Sequence, residues 1–379
     1  MQTSYRFSAP GRTEISGNHT DHQHGCVLAA AVDLETTAEV TLRPDSIIRV
    51  ASEGYAPVEI DLNDLSVHAE EKNTTAALVR GVAAAFAQRG CKLRGFDAAV
   101  RSTVLPGSGL SSSAAFEVLI GTICNELFFD KKCSAIEIAQ IGQYAENVYF
   151  GKPCGLMDQM ASSVGGLVFI DFADPAHPAV RQAAFDFAHC GYTLCTLDSG
   201  ADHADLTDEY AAIPEEMRRV ARVFGKDVLR EVDEAEFYAK LKATREAAGD
   251  RAVLRALHFF AENERVVGEV AALKANDFET FKKLVIASGN SSFEYLQNVY
   301  ASCAVEDQGM SLALALAQHV LDGKGAWRVH GGGFGGTTQN FVPADLVPAF
   351  RETVESVFGA GSCHILHIRP FGGVCVDKI

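Results

Sequence analysis

Hydrophobic and polar positions change rhythm several times along this chain. Residues 26–50, CVLAAAVDLETTAEVTLRPDSIIRV, hold β-rich runs broken at Pro44 and Asp45, which predicts strand, turn and strand. The alanine-rich stretch TTAALVRGVAAAFAQRG at 74–90 ends in glycine and reads as a helix with a glycine stop. A strand over 95–106 leads into a loop rich in glycine and serine. SAIEIAQIGQYAENVYFG at 134–151 has apolar residues three and four apart behind a serine, the pattern of a helix. Strands are expected again over 165–172 and 191–200. From about 205 to 323 the periodicity is almost wholly helical. A second glycine-rich strip, VHGGGFGGTTQNFVP at 329–343, follows a strand-like entry, and SCHILHIRPFGGVCVD reads as a closing strand or strand pair. No internal repeat is visible. The change to helix sets a domain boundary near 185, giving 1–185 and 186–379.

Composition narrows the function classes. The 379 residues exceed the ~250–300 at which single cores stop growing, so two domains are expected. A formal net charge of −16 argues against nucleic acid or an anionic membrane as partner, because both ask for a basic face. Ten scattered cysteines without a CxxC pair read as small buried hydrophobes in a reducing compartment. The N-terminus lacks the basic-then-apolar build of a signal peptide, and no apolar run approaches the ~20 residues that span a bilayer. A soluble cytoplasmic protein is expected; a monomer is the default, since no pattern fixes oligomeric state.

Three polar stretches carry candidate chemistry. PGSGLSSSAAFEV, residues 106–118, sets Gly107, Ser108, Gly109 and Leu110 before Ser111, Ser112 and Ser113 and then runs into an apolar segment. A glycine loop that opens a helix presents unpaired N–H groups and the positive end of the helix dipole, which suits phosphate. A plain loop with a serine cap is the alternative. It is neither a Walker A loop nor a dinucleotide fingerprint, since both spacings fail. The second stretch, APGRTEISGNHTDHQHG at 9–25, gathers Arg12, Glu14, Asn18, His19, Asp21, His22 and His24 around Gly11 and Gly17. Paired donors and acceptors of this kind suit a polyol. A metal site or a solvated polar loop remain as alternatives. The third, KPCGLMDQMASSVGG at 152–166, places Asp158 among Leu156, Met157 and Met160. Burial would raise its pKa and a nearby arginine would lower it, and such an aspartate is either a helix cap or a catalyst.

In this order the stretches resemble motifs of the GHMP kinase superfamily, most closely its galactokinase branch. GRTEISGNHTDHQHG is similar to the branch's N-terminal signature, LPGSGLSSSAA to the ATP-phosphate motif and VHGGGFGG to the C-terminal glycine motif. AENVYFGKPCGLMDQMAS is similar to the segment that bears the catalytic aspartate. The resemblance implies an α+β, two-domain GHMP kinase fold. Its N-terminal domain would be of the ribosomal protein S5 domain 2-like type and its C-terminal domain ferredoxin-like α/β, with the active site in the cleft between them. It further implies a sugar 1-kinase that moves the γ-phosphoryl group of ATP to the C1 hydroxyl of a hexose, galactose first. Asp158 would then be the base and Arg12 its charge partner. Residues 107–113 would wrap the phosphates, and Ser113 and Glu146 would hold Mg²⁺. Asn18, His19, Asp21, Gly155 and Tyr210 would contact the sugar.

Departures from the pattern bear on the sugar. Galactokinases usually carry Glu-His-Thr-Asp-Tyr where this chain has Asn18-His19-Thr20-Asp21-His22, and asparagine where it has Glu14. Gly289 takes the place of a histidine. Galacturonate, N-acetylgalactosamine or another hexose is therefore the alternative acceptor, and a non-catalytic sugar sensor the alternative of another class.

Overall fold

The computed structural model describes residues 3–104, 109–152, 154–200, 206–303 and 305–378. Two compact units emerge: Met1–Arg12, Ala30–Gly166 and Arg369–Ile379 form the first, Thr13–Ala29 and Leu167–Ile368 the second. The expected boundary near 185 falls inside the second unit, because the strand pair Leu167–Asp171 and Ala179–Ala183 belongs there.

In the first unit the sheet runs Val374–Lys378, Ser4–Ser16, Cys26–Leu42, Phe96–Ser102, Ile47–Ser52, Val58–Asp61. The strands either side of Pro44 and Asp45 are both present but do not pair. Phe96–Ser102 lies between them, antiparallel to Thr36–Leu42 and parallel to Ile48–Ser52. A parallel pair needs a crossover, and the helix Thr75–Gln88 supplies it. Alternation decides the faces: Ile48 and Val50 point into the core, while Arg49 faces outward and donates to Glu59 across the strand pair at 2.7 Å. Phe7, Val40, Val82, Phe86, Phe96, Leu119 and Ile123 share the core beneath the helices. The helix Ala135–Tyr144 opens on a capping box between Ser134 and Glu137, as the serine at its start suggested. Its continuation Ala145–Phe150 widens to π geometry, a local irregularity common at functional sites.

The second unit holds an antiparallel four-stranded sheet in the order Cys363–Leu366, Tyr192–Asp198, Thr337–Pro343, Ala326–Val329. Between Asp198 and Ala326 the described regular elements are all helical, from Thr207 to Leu321, as the periodicity predicted. Met217, Phe237, Phe259 and Phe260 build one core under these helices. Leu197, Ala317, Leu321 and Phe350 build another against the sheet. The glycine strip is the connection of a hairpin, Ala326–Val329 to Thr337–Pro343. The C-terminal run is two strands that do not pair with each other: Cys363–Leu366 joins the second unit's sheet and Val374–Lys378 pairs with Tyr5–Ser8 in the first.

Candidate active site

In the first unit the site grows from one ion pair. Arg12 donates from Nε to Asp158 Oδ1 at 2.7 Å and from Nη2 to Oδ2 at 2.8 Å, a two-pronged grip that fixes the carboxylate plane. Its remaining arm, Nη1, donates to the carbonyl of Gly109, and its backbone N–H donates to Leu110 O at 3.0 Å. Arg12 therefore holds Asp158 and the end of the glycine loop together. Asp158 is the second residue of the helix Met157–Val164, where the dipole favours negative charge. The Asp158 side chain keeps 33% of its surface exposed while Arg12 keeps 8%, so the acid, not its partner, is presented to solvent. Burial works to raise the Asp158 pKa, but the Arg12 charge, its hydrogen bonds and the Ser111 hydroxyl together hold it below the usual aspartate value.

Ser111 stands at the N-cap of the helix Ser112–Phe128 in left-handed geometry and makes no capping bond. Its hydroxyl donates to Asp158 Oδ2 instead. The serine-cap alternative thus fails on geometry. The first intrahelical bond runs from Ala115 N to Ser111 O at 3.1 Å, which leaves the first-turn N–H groups of Ser112 and Ser113 directed off the helix end. Gly107 and Ser108, expected at the phosphates, lie outside the described residues.

Glu146 is buried on the π-widened turn. Gln159 Nε2 donates to Glu146 Oε2 and to Glu117 Oε2, both at 2.9 Å, so one amide links two carboxyl groups. Burial raises both acids, and the charge of Glu146 adds to the rise of Glu117. Glu117 Oε1 and Gln159 Oε1 are buried without a hydrogen-bond partner. An unpartnered carboxyl oxygen of Glu117 and amide oxygen of Gln159, beside buried Glu146, are hard donors that a hard cation would satisfy, and the oxygen donors of Ser113 and Glu146 are of the type that suits Mg²⁺. Gly155 is exposed in the segment that leads into the Asp158 helix.

The second unit carries the other candidates. Gly17 adopts φ +99°, and a Cβ there would sit 2.5 Å from Val27, so only glycine admits this turn. Thr20 Oγ1 lies within hydrogen-bond distance of the carbonyls of Gly17 (2.9 Å) and Cys26 (2.6 Å), which closes the loop. His19 follows in left-handed conformation with φ 58°. Its Nε2 lies 2.9 Å from Gly332 O, and since a carbonyl only accepts, Nε2 carries the proton. His19 Nδ1 is then an acceptor for His22 Nε2–H at 3.2 Å, and His22 Nδ1 accepts from Gln23 Nε2 at 3.3 Å. Burial lowers the His19 pKa to about 4, so this chain is made of neutral imidazoles. Among the described residues no group of three His, Cys, Asp or Glu side chains is arranged as metal ligands.

Asn18 is fully buried. Its Nδ2 donates to Glu14 Oε1 at 3.0 Å and to Gly331 O at 2.6 Å. Its Oδ1 accepts from Asn298 Nδ2 at 2.7 Å and Ser292 Oγ at 3.3 Å. Tyr210 Oη donates to Gly333 O at 2.6 Å, and burial raises this phenol to about 12. Three successive carbonyls of the glycine strip, 331 to 333, are therefore held by Asn18, His19 and Tyr210. Gly332 permits it: a Cβ there would lie 2.6 Å from the Tyr210 ring. Asp21 is half-buried and accepts from His22 N at 2.8 Å.

Several residues here escaped the sequence reading. Glu262 is buried, and its Oε1 accepts from Gly17 N at 3.0 Å, Ser16 Oγ at 3.2 Å and Ser288 Oγ at 2.6 Å, while Arg265 Nε donates to Oε2 at 2.6 Å. Burial opposes this charge, yet Arg265 and the surrounding donors hold the carboxyl far below its usual value. One turn earlier on the same helix, His258 donates from Nε2 to Asn18 O at 2.9 Å and accepts from Ser291 Oγ at 2.9 Å. Arg328, fully buried, donates to Glu14 Oε1 at 3.0 Å and to Ile15 O at 2.7 Å. The available signal was the spacing of His258 and Glu262, four apart and so on one helix face, in ALHFFAENERVV.

What sets the first-unit cluster apart from a bare anion loop is an aspartate kept charged beside it, which is the equipment of a small-molecule kinase; the fold gives its class as GHMP kinase. Residues 77–166 match the model for the GHMP kinases N terminal domain, and residues 2–42 match the galactokinase galactose-binding signature. The galactokinase of Streptomyces coelicolor is 35% identical over 361 residues, covering 93% of this chain and 88% of its own. That of Glaesserella parasuis is 34% identical over 359 residues, covering 91% and 87%. Among solved structures, Lactococcus lactis galactokinase complexed with galactose superposes with a TM-score of 0.82 at 25% identity, over 98% of this chain and 95% of that one. A mevalonate kinase at 13% identity and a TM-score of 0.68 shares the fold. The chain belongs to the galactokinase family of GHMP kinases, and it is a phosphotransferase that uses ATP.

Proposed function

We propose that the protein transfers the γ-phosphoryl group of ATP to the C1 hydroxyl of galactose. The observation that carries this is the Arg12–Asp158–Ser111 cluster at the end of the glycine–serine loop. Phosphoryl transfer asks little covalent help of a protein; it asks for position and for stabilised charge. The N–H groups at the start of the helix Ser112–Phe128 would take phosphate oxygens, assisted by the serine hydroxyls. Asp158, held charged, would accept a hydrogen bond from the acceptor hydroxyl and orient its lone pair. An acid with a lowered pKa is a weak base, so the proton moves late, as charge develops on the attacking oxygen. Arg12 would steady the carboxylate throughout. Ser113 and Glu146 would hold Mg²⁺, which when bound neutralises phosphate charge.

The proposed sugar-binding group is His19, Asp21, Tyr210 and Gly155, each with accessible surface, and Asn18, which is fully buried and acts through its neighbours. Neutral His19 and protonated Tyr210 bring no charge to the group, which suits a neutral sugar. Asn18 in place of a glutamate removes a negative acceptor and keeps galacturonate and N-acetylgalactosamine as secondary acceptors. A monomeric enzyme of the cytoplasm is the proposed setting; all ten cysteines are free, as in a reducing compartment, and no described helix is long and apolar enough to cross a membrane. ADP release with galactose as acceptor tests the proposal: turnover supports it, and no turnover on any hexose refutes it.

A further inference from the structure

Glu14 and Asn18 touch, and both are buried. Glu14 Oε1 accepts from Asn18 Nδ2 and from Arg328 Nη2, each at 3.0 Å. Arg328 also donates to Ile15 O, so the same guanidinium fixes the backbone between the two residues. Asn18 spends both amide hydrogens on Glu14 and Gly331 O, and its oxygen on Asn298 and Ser292. An amide offers two donors and an acceptor with two lone pairs, and all four places are taken by protein. Asn298 in turn donates to Gly332 O at 3.1 Å, the carbonyl that also receives His19 Nε2. The pair is therefore joined through hydrogen bonds to the strip at 331–333, and through it to His19 and Tyr210, two of the proposed sugar contacts.

We propose that Glu14 and Asn18 form a matched acid–amide pair, anchored by Arg328, that positions His19 and the glycine strip, so that the chemistry of residue 18 sets sugar affinity only in combination with residue 14. Both are positioning residues. The chain carries the acid at 14 and the amide at 18, the reverse of the galactokinase pattern described above. The two departures thus amount to one exchange within a single hydrogen bond. An acid introduced at 18 alone would confront the Glu14 carboxylate and the Gly331 carbonyl with no hydrogen between them. An amide introduced at 14 alone would leave buried Arg328 without its carboxylate. Exchanging both keeps one acid and one amide in the pair, with a hydrogen again between them and the net charge of the pair unchanged. The idea rests on the sugar-kinase assignment, but its test does not stand or fall with it.

The test is an isosteric exchange: Glu14→Gln, Asn18→Asp and the double variant, with Asn18→Ala as a neutral truncation. Each is assayed for kcat and for sugar KM on whichever hexose the wild type turns over best, with circular dichroism as the folding control. Wild-type turnover alone judges the kinase assignment; ratios among the variants judge the pairing. Contacting polar residues couple by severalfold to about a hundredfold. Asn18→Asp should raise sugar KM about tenfold or more with kcat changed less than about threefold, and the double variant should recover part of that loss, severalfold or more, the Gly331 carbonyl alone staying without its donor. An Asn18→Asp chain that misfolds while the double variant folds supports the pairing equally. Effects that simply add, a lowered KM for Asn18→Asp alone, or an Asn18→Ala variant with KM within twofold of wild type would each overturn it.

Discussion

Replacing Asp158 with asparagine changes one oxygen to an NH₂ and removes one charge. Both carboxylate oxygens accept from Arg12, at 2.7 and 2.8 Å, so the amide must turn a donor toward a guanidinium that has only donors. Ser111 loses part of its acceptor as well. A positioned acid or base contributes about 10²–10⁴ in rate, so kcat should fall by about that factor, or about 3–5 kcal/mol of barrier. Stability should fall less. Breaking a fully buried ion pair costs about 3–5 kcal/mol and an exposed one about 0–1 kcal/mol. With Arg12 at 8% and Asp158 at 33% exposure, a loss of about 1–3 kcal/mol is expected. The sign with pH follows from the lowered pKa. The pair's contribution is complete above the unfolded aspartate value of about 3.9 and is lost as pH falls through the folded value below it. The assay is coupled ADP release at saturating sugar and ATP, with binding of a fluorescent ATP analogue to show that the loop still takes nucleotide. Retained binding with kcat reduced at least a hundredfold supports the role. A kcat within tenfold of wild type would refute the reasoning.

Two further outcomes concern the second unit. Glu262→Gln sets an amide hydrogen against Arg265 or against the Gly17 N–H, and should cost about 3–5 kcal/mol in urea unfolding while raising sugar KM. Because Glu262 is held far below its usual range, the wild-type advantage is full above about pH 4.3 and shrinks as pH falls; an advantage that grew on acidification would contradict the assignment. Tyr210→Phe leaves Gly333 O without its donor and should raise sugar KM about 2- to 10-fold. With the phenol raised to about 12 it stays protonated, so that loss should be flat across neutral pH; a loss that varied with pH there would point to a different donor.

Local physics was legible wherever a rule acts over a few residues. The capping box at Ser134 and Glu137, the alternation of Ile48 and Val50 and the helical run from Thr207 to Leu321 follow from neighbours in sequence. The absence of a capping bond at Ser111 accords with three serines being more than a cap needs. Long-range pairing was not legible. Nothing near Pro44 says that Phe96–Ser102 will enter between the flanking strands. The resemblance put Asn18 at the sugar, but nothing nearby in sequence says that it is buried, held by His258, 240 residues away, and Asn298, 280 away. His258 and Glu262 were hidden among the other charged residues of the helix Asp250–Lys274, because sequence does not mark which of them the fold buries. The order of motifs singled out Asp158 and Arg12 and implied that they pair, while the two-pronged geometry of that bond, spanning 146 positions, is visible only in the fold.

The most direct measurement compares ADP release on galactose, galacturonate, N-acetylgalactosamine and glucose with ATP and Mg²⁺, with the position of phosphate in the product read by proton–phosphorus correlation. The prediction is the highest kcat/KM for galactose with phosphorus on the C1 oxygen. Binding of galactose and ATP without ADP release on any of the four sugars would contradict it.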